Sequence, residues 1–196
     1  MEHSYPRHAI PLETDRLILR RFTPDDWKDL NEYLSQPETV CFEPYEPFSM
    51  EDSKREAVTR SENAAFLAVC LKSGGKLIGN IYIAPQDYGA WELGYVFNSK
   101  FWRNGYATEA ARAAIEYAFA NSARRVTAMC NPLNEASWKL LERLGFTREG
   151  HLRKNIFFKR DEQSEPIWQD TYEYAILEDA ASHIQDLSER VLRDLG

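Results

Sequence analysis

Long apolar runs are missing from this sequence of 196 residues. No stretch approaches the roughly 18 to 20 consecutive apolar residues that a membrane-spanning helix needs. The first residues, Met1 to His8, also contain no apolar segment of the kind found in signal peptides. We therefore expect a cytoplasmic protein with no membrane partner.

Cysteine and clustered positive charge are scarce as well. The three cysteines, Cys41, Cys70 and Cys130, stand far apart, without a CxxC pair or histidines at metal-ligand spacing. This pattern predicts free thiols in a reducing compartment and no metal site. The formal net charge is −7 and no basic patch is visible, so we expect no nucleic-acid partner. The acidic balance mildly favours a cationic acceptor.

What is present is the composition of a folded protein, with 43% hydrophobic, 13% aromatic and 28% charged residues. No repeat, low-complexity linker or composition break divides it. We expect a single domain over residues 1–196, with a core at about 12–178 and an amphipathic C-terminal helix at about 179–194. The apolar residues of that helix would pack on the domain or pair two subunits as a homodimer: Ile184, Leu187, Val191 and Leu195.

Hydrophobic periodicity predicts a mixed series of strands and helices. Strands are expected at 15–22, 66–71, 76–83, 90–98, 125–130, 146–158 and 168–177. Helices are expected after Thr23, from about Ser49, over 105–121 and over 134–144. Residues 41–48 contain two prolines and predict a rigid loop, a candidate substrate wall, and 160–166 predicts an acidic loop.

The segment Phe101–Ala110 joins a glycine loop to the start of an alanine-faced helix. Gly105 allows an unusual backbone angle, and the free amides of a helix N-terminus suit a diphosphate. An ordinary helix start after a glycine turn is the alternative. The sequence has no GxxxxGK[ST] motif and no GxGxxG after a strand, which argues against an NTPase and a dinucleotide enzyme.

Two segments together, Trp91–Val96 and Phe101–Ala110, resemble the central motif of Gcn5-related N-acetyltransferases (GNAT). The resemblance is closer to the ribosomal-protein-alanine (RimJ/RimL-like) branch, and it extends from Leu12 through Asn131–Ser137 and Leu144–Phe146 to the last strand. It implies an α+β fold with a mostly antiparallel mixed sheet, splayed between the fourth and fifth strands and flanked by helices. It also implies acetyl-CoA as co-substrate, without a metal.

The resemblance further implies which residues hold acetyl-CoA. The diphosphate would bind mainly backbone amides of the loop residues Arg103, Asn104, Gly105, Tyr106, Ala107 and Thr108. The pantetheine arm would pair with Tyr95, Val96 and Phe97, near Asn131 and Asn134. An ordinary core role is the alternative for the strand side chains. Trp102 replaces the glutamine or arginine frequent in the family, and we expect it to alter packing more than binding.

Glu92 is the general base that the resemblance implies, acting directly or through water, with room for the acetyl group at Gly94. A solvent-facing acid on a strand is the alternative. The amine must lose a proton to an acceptor, because an amine resembling lysine has a pKa of about 10.4 and is protonated at neutral pH.

Ser137 is placed by the resemblance near the sulfur, as proton donor to the thiolate, with water as the alternative. Many family members have a tyrosine donor at the position of Leu141, and this sequence lacks it. Asn134 and Ser137 also have the spacing of an N-cap and the amide that it accepts.

The branch resemblance and the acidic loops around Glu43, Glu46 and 161–165 favour a protein or peptide α-amino group as acceptor. A small cationic amine, such as a polyamine or an aminoglycoside-type antibiotic, would use the same donor groove. A coenzyme-binding module without turnover is a third hypothesis, and the presence of Glu92, Asn134 and Ser137 argues against it.

Overall fold

A computed structural model describes residues 10–178 of the chain. The strands are β1 (Leu12–Glu13), β2 (Leu17–Arg21), β3 (Phe66–Leu71), β4 (Leu77–Pro85), β5 (Ala90–Phe97), β6 (Arg125–Cys130), β7 (Thr147–Arg160) and β8 (Pro166–Leu177). The helices are α1 (Trp27–Leu34), α2 (Pro37–Val40), α3 (Met50–Glu62), α4 (Tyr106–Ala120) and α5 (Glu135–Arg143). Short 3-10 turns occupy Pro24–Asp26, Asp87–Gly89 and Ser99–Phe101. The expected C-terminal helix lies outside the described residues.

The strands form one open sheet in the order β1-β2-β3-β4-β5-β6-β8-β7. Every neighbouring pair is antiparallel except β5 and β6, which run parallel. Their pairing covers only Ala90–Glu92 and Arg125–Thr127, and beyond Glu92 the two strands are no longer paired. The expected splay between the fourth and fifth strands is therefore confirmed as the β5/β6 opening, since the two-residue β1 adds one to the count.

Apolar clusters cover both faces of the sheet. On one face, Trp91, Leu93 and Phe97 of β5 pack in the same cluster as the alanine face of α4. That face is fully buried at Ala110, Ala111, Ala114 and Ala118, and such small side chains let a helix axis lie close to a sheet. On the other face, Val96 shares a cluster with residues of α1. Strand β5 is thus packed on both faces, also beyond Glu92, where it is no longer paired with β6.

The structure differs from the sequence expectations at a few element ends. Pro24 begins a 3-10 turn and the α-helix starts only at Trp27, while Pro37 begins the unexpected short helix α2. Both prolines occupy first-turn positions, where the missing N–H costs nothing. Strands β7 and β8 continue to Arg160 and from Pro166, so the acidic loop shrinks to 161–165. Their hairpin is largely exposed, and without a buried face the period-2 signal is weak.

Two further features concern the cysteines and the length of the helices. The cysteines Cys41, Cys70 and Cys130 are free. Within residues 10–178, no helix has the length and apolar character needed to cross a membrane.

Candidate active site

The loop before α4 presents a series of unpaired main-chain amides. Gly105 precedes the helix with φ 79 and ψ 0, and Arg103 also has a positive φ of 62. Within the described chain, no acceptor is hydrogen-bonded to the main-chain N–H groups from Arg103 to Thr108; Glu109 is the next bonded amide, to the Gly105 carbonyl at 3.0 Å. Free amides at the positive end of a helix dipole form a site for an anion.

Trp102 attaches this loop to the end of β5. Its indole Nε1 donates to the Phe97 carbonyl at 2.8 Å, and the Asn104 side-chain amide donates to the carbonyls of Phe101 and Trp102 at 3.2 and 3.0 Å. The side chain of Trp102 therefore links the loop to the last residue of β5 by a hydrogen bond.

The open edge of β5 offers main-chain groups to the β6 side. Asn98 N–H donates to the Ile78 carbonyl at 2.9 Å, and Gln86 N–H donates to the Ala90 carbonyl at 2.7 Å. Bonded pairs alternate in an antiparallel ladder, so the even-numbered residues of β5 bond to β4. Tyr95 and Phe97 consequently direct their main-chain groups into the opening, whereas those of Val96 are used on β4. The Phe97 carbonyl is taken by Trp102.

A cavity of about 510 Å³ lies along this opening. Its lining includes these residues from the sequence predictions: Glu92, Tyr95, Val96, Asn131, Asn134 and Ser137. Phe97 and the loop residues 103–108 are not part of that lining. The side-chain amide of Asn131 donates to Gln169 Oε1 at 2.9 Å, which links the cavity wall to β8.

Glu92 lies half-buried on the cavity wall, beside a glycine that leaves space. Its Oε2 accepts a hydrogen bond from Gln86 Nε2 at 3.1 Å. Burial raises the pKa of Tyr82, and the negative charge of Glu92 adds to that rise. A Cβ on Gly94 would meet the Tyr82 Cβ at 3.5 Å, an ordinary contact. The packing of the protein itself therefore does not require a glycine at position 94.

Ser137 is held by contacts on both its main chain and its hydroxyl. Asn134 Oδ1 accepts from the Ser137 N–H at 3.2 Å, which confirms the expected N-cap of α5. The Tyr95 hydroxyl lies 2.9 Å from Ser137 Oγ and donates to the Ser137 carbonyl at 3.2 Å. Burial raises the pKa of Tyr95, so this hydroxyl stays protonated at neutral pH. The side chain of Tyr95 was not predicted as a site residue, because nothing local in the sequence signals a contact with α5.

Cys130 completes the polar groups near Ser137. Burial raises the pKa of its thiol to about 11, although a hydrogen bond with Ser137 opposes the rise. The thiol is therefore neutral at physiological pH. Leu141 also lines the cavity and is 1% exposed, so this part of the wall is apolar.

The opposite side of the cavity is formed by the loop at 41–48 and a buried arginine. Phe42, Glu43, Pro44 and Tyr45 line the cavity, so the loop predicted to be a substrate wall borders it. Burial raises the pKa of Glu43, while a hydrogen bond from Tyr45 opposes the rise. Arg60, 2% exposed, donates to Glu56 at 2.7 Å and to Asn80 Oδ1 at 2.8 Å. Glu56 forms an ion pair with the guanidinium, whose positive charge also opposes the rise in the pKa of Glu43.

The described residues contain no cluster of metal-ligating side chains. Among residues 10–178, no group of three or more His, Cys, Asp or Glu side chains is arranged to hold an ion.

Comparison with known proteins points to one family. Residues 16–147 match the acetyltransferase (GNAT) domain. The chain is 35% identical over 174 residues to the uncharacterized N-acetyltransferase YnaD of Bacillus subtilis, covering 86% of this chain and 97% of YnaD. It superposes on a GNAT-family acetyltransferase structure from Bacillus anthracis with a TM-score of 0.79 and 32% identity, covering 87% of this chain and 99% of the other.

Two more distant structures share the fold. One is the ribosomal-protein-S5-alanine acetyltransferase from Vibrio fischeri, with a TM-score of 0.71, 22% identity and coverage of 87% and 98%. The other is spermidine N-acetyltransferase from Vibrio cholerae in complex with CoA and spermine, with a TM-score of 0.70, 18% identity and coverage of 86% and 99%.

Proposed function

The chain belongs to the acetyltransferase (GNAT) domain family, and from this membership we propose that it moves the acetyl group of acetyl-CoA to a primary amine, most readily a protein or peptide α-amino group. The observation that carries the proposal is the β5/β6 opening next to a loop of unpaired amides. The long arm of a thioester donor would suit the opening, and its diphosphate would suit the loop.

The amides from Arg103 to Thr108 would bind the diphosphate of the donor, because several N–H groups at a helix start stabilise an anion without lysine. The free N–H and C=O of Tyr95 and the free N–H of Phe97 would pair with the amides of the pantetheine arm. Val96 would contribute its side chain alone, since its main chain is bonded to β4. Asn131 and Asn134 would border the arm from the other side of the cavity.

Glu92 would accept the proton that the amine must lose, either directly or through water. An ammonium group cannot attack a carbonyl, and a carboxylate in the same cavity provides both attraction and a proton acceptor. Gly94 would leave space for the acetyl group beside it. A main-chain N–H on the open edge of β5 would donate to the thioester carbonyl and stabilise its developing negative charge.

Ser137 would donate a proton to the departing sulfur. The neutral Tyr95 hydroxyl is 2.9 Å from Ser137 Oγ and would orient it. The rate gain from this proton donor should be modest, because a thiol with a pKa of about 8.5 is already a tolerable leaving group.

A peptide acceptor is supported by the edge strand that borders the cavity. Strand β7 is the last strand of the sheet, and Asn155, Ile156 and Phe158 line the cavity. Its register on β8 shifts between Leu152 and Ile156, where Asp170 Oδ1 accepts from the Lys154 N–H at 2.8 Å, and within the described residues no strand pairs with its outer edge. Unpaired main-chain groups on an edge strand are the means by which proteins bind extended peptides.

A small cationic amine is the second candidate. Glu43 and Glu92 line the same cavity, and no lysine or arginine of the described chain forms an ion pair with either. Two such carboxylates would suit an acceptor with two positive charges. The names of the two distant structural neighbours include both acceptor classes and so do not decide between them.

The test is incubation with acetyl-CoA and a panel of acceptors, with mass spectrometry of the products. The panel should contain peptides with free N-termini, the same peptides with blocked N-termini, polyamines and aminoglycosides. We expect acetylation at free N-termini and none on blocked peptides that lack lysine. Acetylation of non-peptide amines alone would favour the second candidate. Tight CoA binding without acetylation of any acceptor or protein in a cell extract would indicate a module without turnover.

A further inference from the structure

The turn between β1 and β2 packs against the loop that precedes α4, and Arg16 makes most of the contact. Its Nε and Nη2 atoms lie 2.7 and 2.6 Å from Glu109 Oε2, and its Nη1 donates to the Asn104 carbonyl at 3.0 Å. The guanidinium also stacks over the Tyr106 ring at 4.5 Å from its centroid. One side chain thus contacts the loop, the first residue of α4 and a carboxylate one turn into the helix.

Glu109 accepts further hydrogen bonds from the same turn. Its Oε1 receives the Thr14 hydroxyl at 2.5 Å and the main-chain N–H of Arg16 at 2.9 Å. Although burial raises the pKa of Glu109, these hydrogen bonds lower it overall, so the carboxylate is charged at neutral pH. Its side chain is 18% exposed, and that of Arg16 is 47% exposed.

The bond to Asn104 orients an amide of the proposed diphosphate site. The Asn104 carbonyl and the Gly105 N–H belong to one peptide unit, and in a trans peptide the two point in opposite directions. When Arg16 holds the carbonyl, the Gly105 N–H is directed away from the β1–β2 turn. Gly105 lies close to the same guanidinium, since a Cβ added there would be 3.4 Å from Arg16 Nη2.

The ion pair also neutralises a negative charge that would weaken binding of the donor's diphosphate. An unpaired carboxylate on the first turn of α4 would repel a diphosphate at the amides of that turn, and Coulomb repulsion at such short range is substantial. Arg16 neutralises Glu109 in place. Each of its three nitrogen atoms already contacts a protein oxygen, which makes it a poor candidate for a direct ligand of the phosphates.

We propose that Thr14, Arg16 and Glu109 form a brace that holds the loop in the conformation that binds the diphosphate of acetyl-CoA. Arg16 is then a positioning residue for the donor and takes no part in the chemical step. The inference rests on the proposed function only in assigning the diphosphate to this loop.

Arg16→Gln tests the brace with a full and a truncated donor. We expect the Kd for CoA, measured by calorimetry, and the KM for acetyl-CoA to rise about tenfold, as loss of a coupled ion-pair network implies. The value of kcat should stay within about twofold, since the ground state and the transition state lose the same contact. With S-acetylpantetheine, which lacks the diphosphate, kcat/KM should equal that of the wild type. Arg55→Gln is the matched control, because Arg55 forms an exposed ion pair with Asp52 on α3.

The double variant Arg16→Gln/Glu109→Gln separates the effect of the unpaired Glu109 charge from the effect of losing the Arg16 contacts with the loop. We expect its Kd for CoA to be no weaker than that of Arg16→Gln alone, because the second substitution removes the unpaired carboxylate. Thermal unfolding identifies any variant that fails to fold, and Arg16→Lys, which keeps the charge but not the fork, should then give an intermediate Kd.

A wild-type Kd for CoA in folded Arg16→Gln would overturn the brace, and so would an equal loss with both donors. If the wild-type protein bound CoA but acetylated no amine, the proposed function would fail, while the Kd comparison would still decide the brace. Absence of CoA binding in the wild type would overturn both.

Discussion

At the scale of single residues, Glu92 is the side chain on which the proposed chemistry depends. We expect Glu92→Gln to lower kcat by about a hundredfold, because a positioned general base typically contributes at least that factor. Steady-state kinetics with acetyl-CoA and a saturating acceptor measure the change, and calorimetry should show unchanged CoA binding. Glu51→Gln, at an exposed ion pair with Lys54 on α3, serves as the control. A folded Glu92→Gln variant with wild-type kcat would remove Glu92 as the base without removing the enzyme.

Two strand glycines differ in what a methyl group would meet. A Cβ on Gly94 would contact Tyr82 at 3.5 Å, whereas a Cβ on Gly79 would lie 2.6 Å from the Val96 carbonyl oxygen. We expect Gly94→Ala to keep the wild-type midpoint of thermal unfolding but to lose most activity, because its methyl group takes the space proposed for the acetyl group. Gly79→Ala should lower the midpoint, since a backbone atom must move. Full activity of Gly94→Ala would show that the acetyl group lies elsewhere.

At the scale of elements, α1 is attached to the sheet through Glu32. The carboxylate accepts from Lys100 Nζ at 2.8 Å and also binds Lys76, and these two lysines lower the pKa of Glu32 to about 2. A lowered native pKa stabilises the fold above the unfolded pKa of about 4.3, and this contribution is lost as the pH falls towards the native value.

Glu32→Gln should therefore reduce the free energy of unfolding at pH 7 by up to about 1 kcal/mol, a limit set by the partial exposure of the pair. The difference from the wild type should shrink as the pH decreases from about 4.3 towards the native pKa, below which both proteins carry a neutral group. Urea unfolding at neutral and acidic pH measures both quantities. A difference that stayed constant across this range would show that the loss comes from packing and not from charge.

Elements with a buried face were predictable from the sequence, and so was most of the exposed strand β7, expected at 146–158 and found at Thr147–Arg160, whereas the short helix α2 was not. The alternation and alanine spacing from β5 to α4 reflect burial against a single core, so their ends were expected within a residue or two. Strand β7 has little buried surface, and its extent depends on pairing with β8. The short helix α2 depends on Pro37 and on tertiary contacts that no periodicity records.

The features of the site also differ in whether the sequence predicts them. Gly105 and the N-cap at Asn134 follow from local rules of backbone geometry, so their positions were predictable. The contact between Tyr95 and Ser137, and that between Arg16 and Glu109, join residues far apart in sequence. Local patterns contain no information about such pairs, because the packing of whole elements brings them together.

At the scale of the whole molecule, the proposed function places the donor and the acceptor on two different sides of the cavity along the β5/β6 opening. The donor is proposed to enter along the open edge of β5 towards the loop at 103–108, and the acceptor to lie between the loop at 41–48 and the β7–β8 hairpin. Each side is supported by different elements, so acceptor specificity can change through the loop and the hairpin while the donor site is kept.

Hydrogen–deuterium exchange with and without acetyl-CoA tests this arrangement most directly. The account predicts slower exchange in peptides covering the amides from Arg103 to Thr108 and those of Tyr95 and Phe97, which have no acceptor among residues 10–178 and would gain one from the donor. Exchange in α3 should be unchanged. Binding of acetyl-CoA without protection of the loop and of β5, or with protection confined to other elements, would contradict the account.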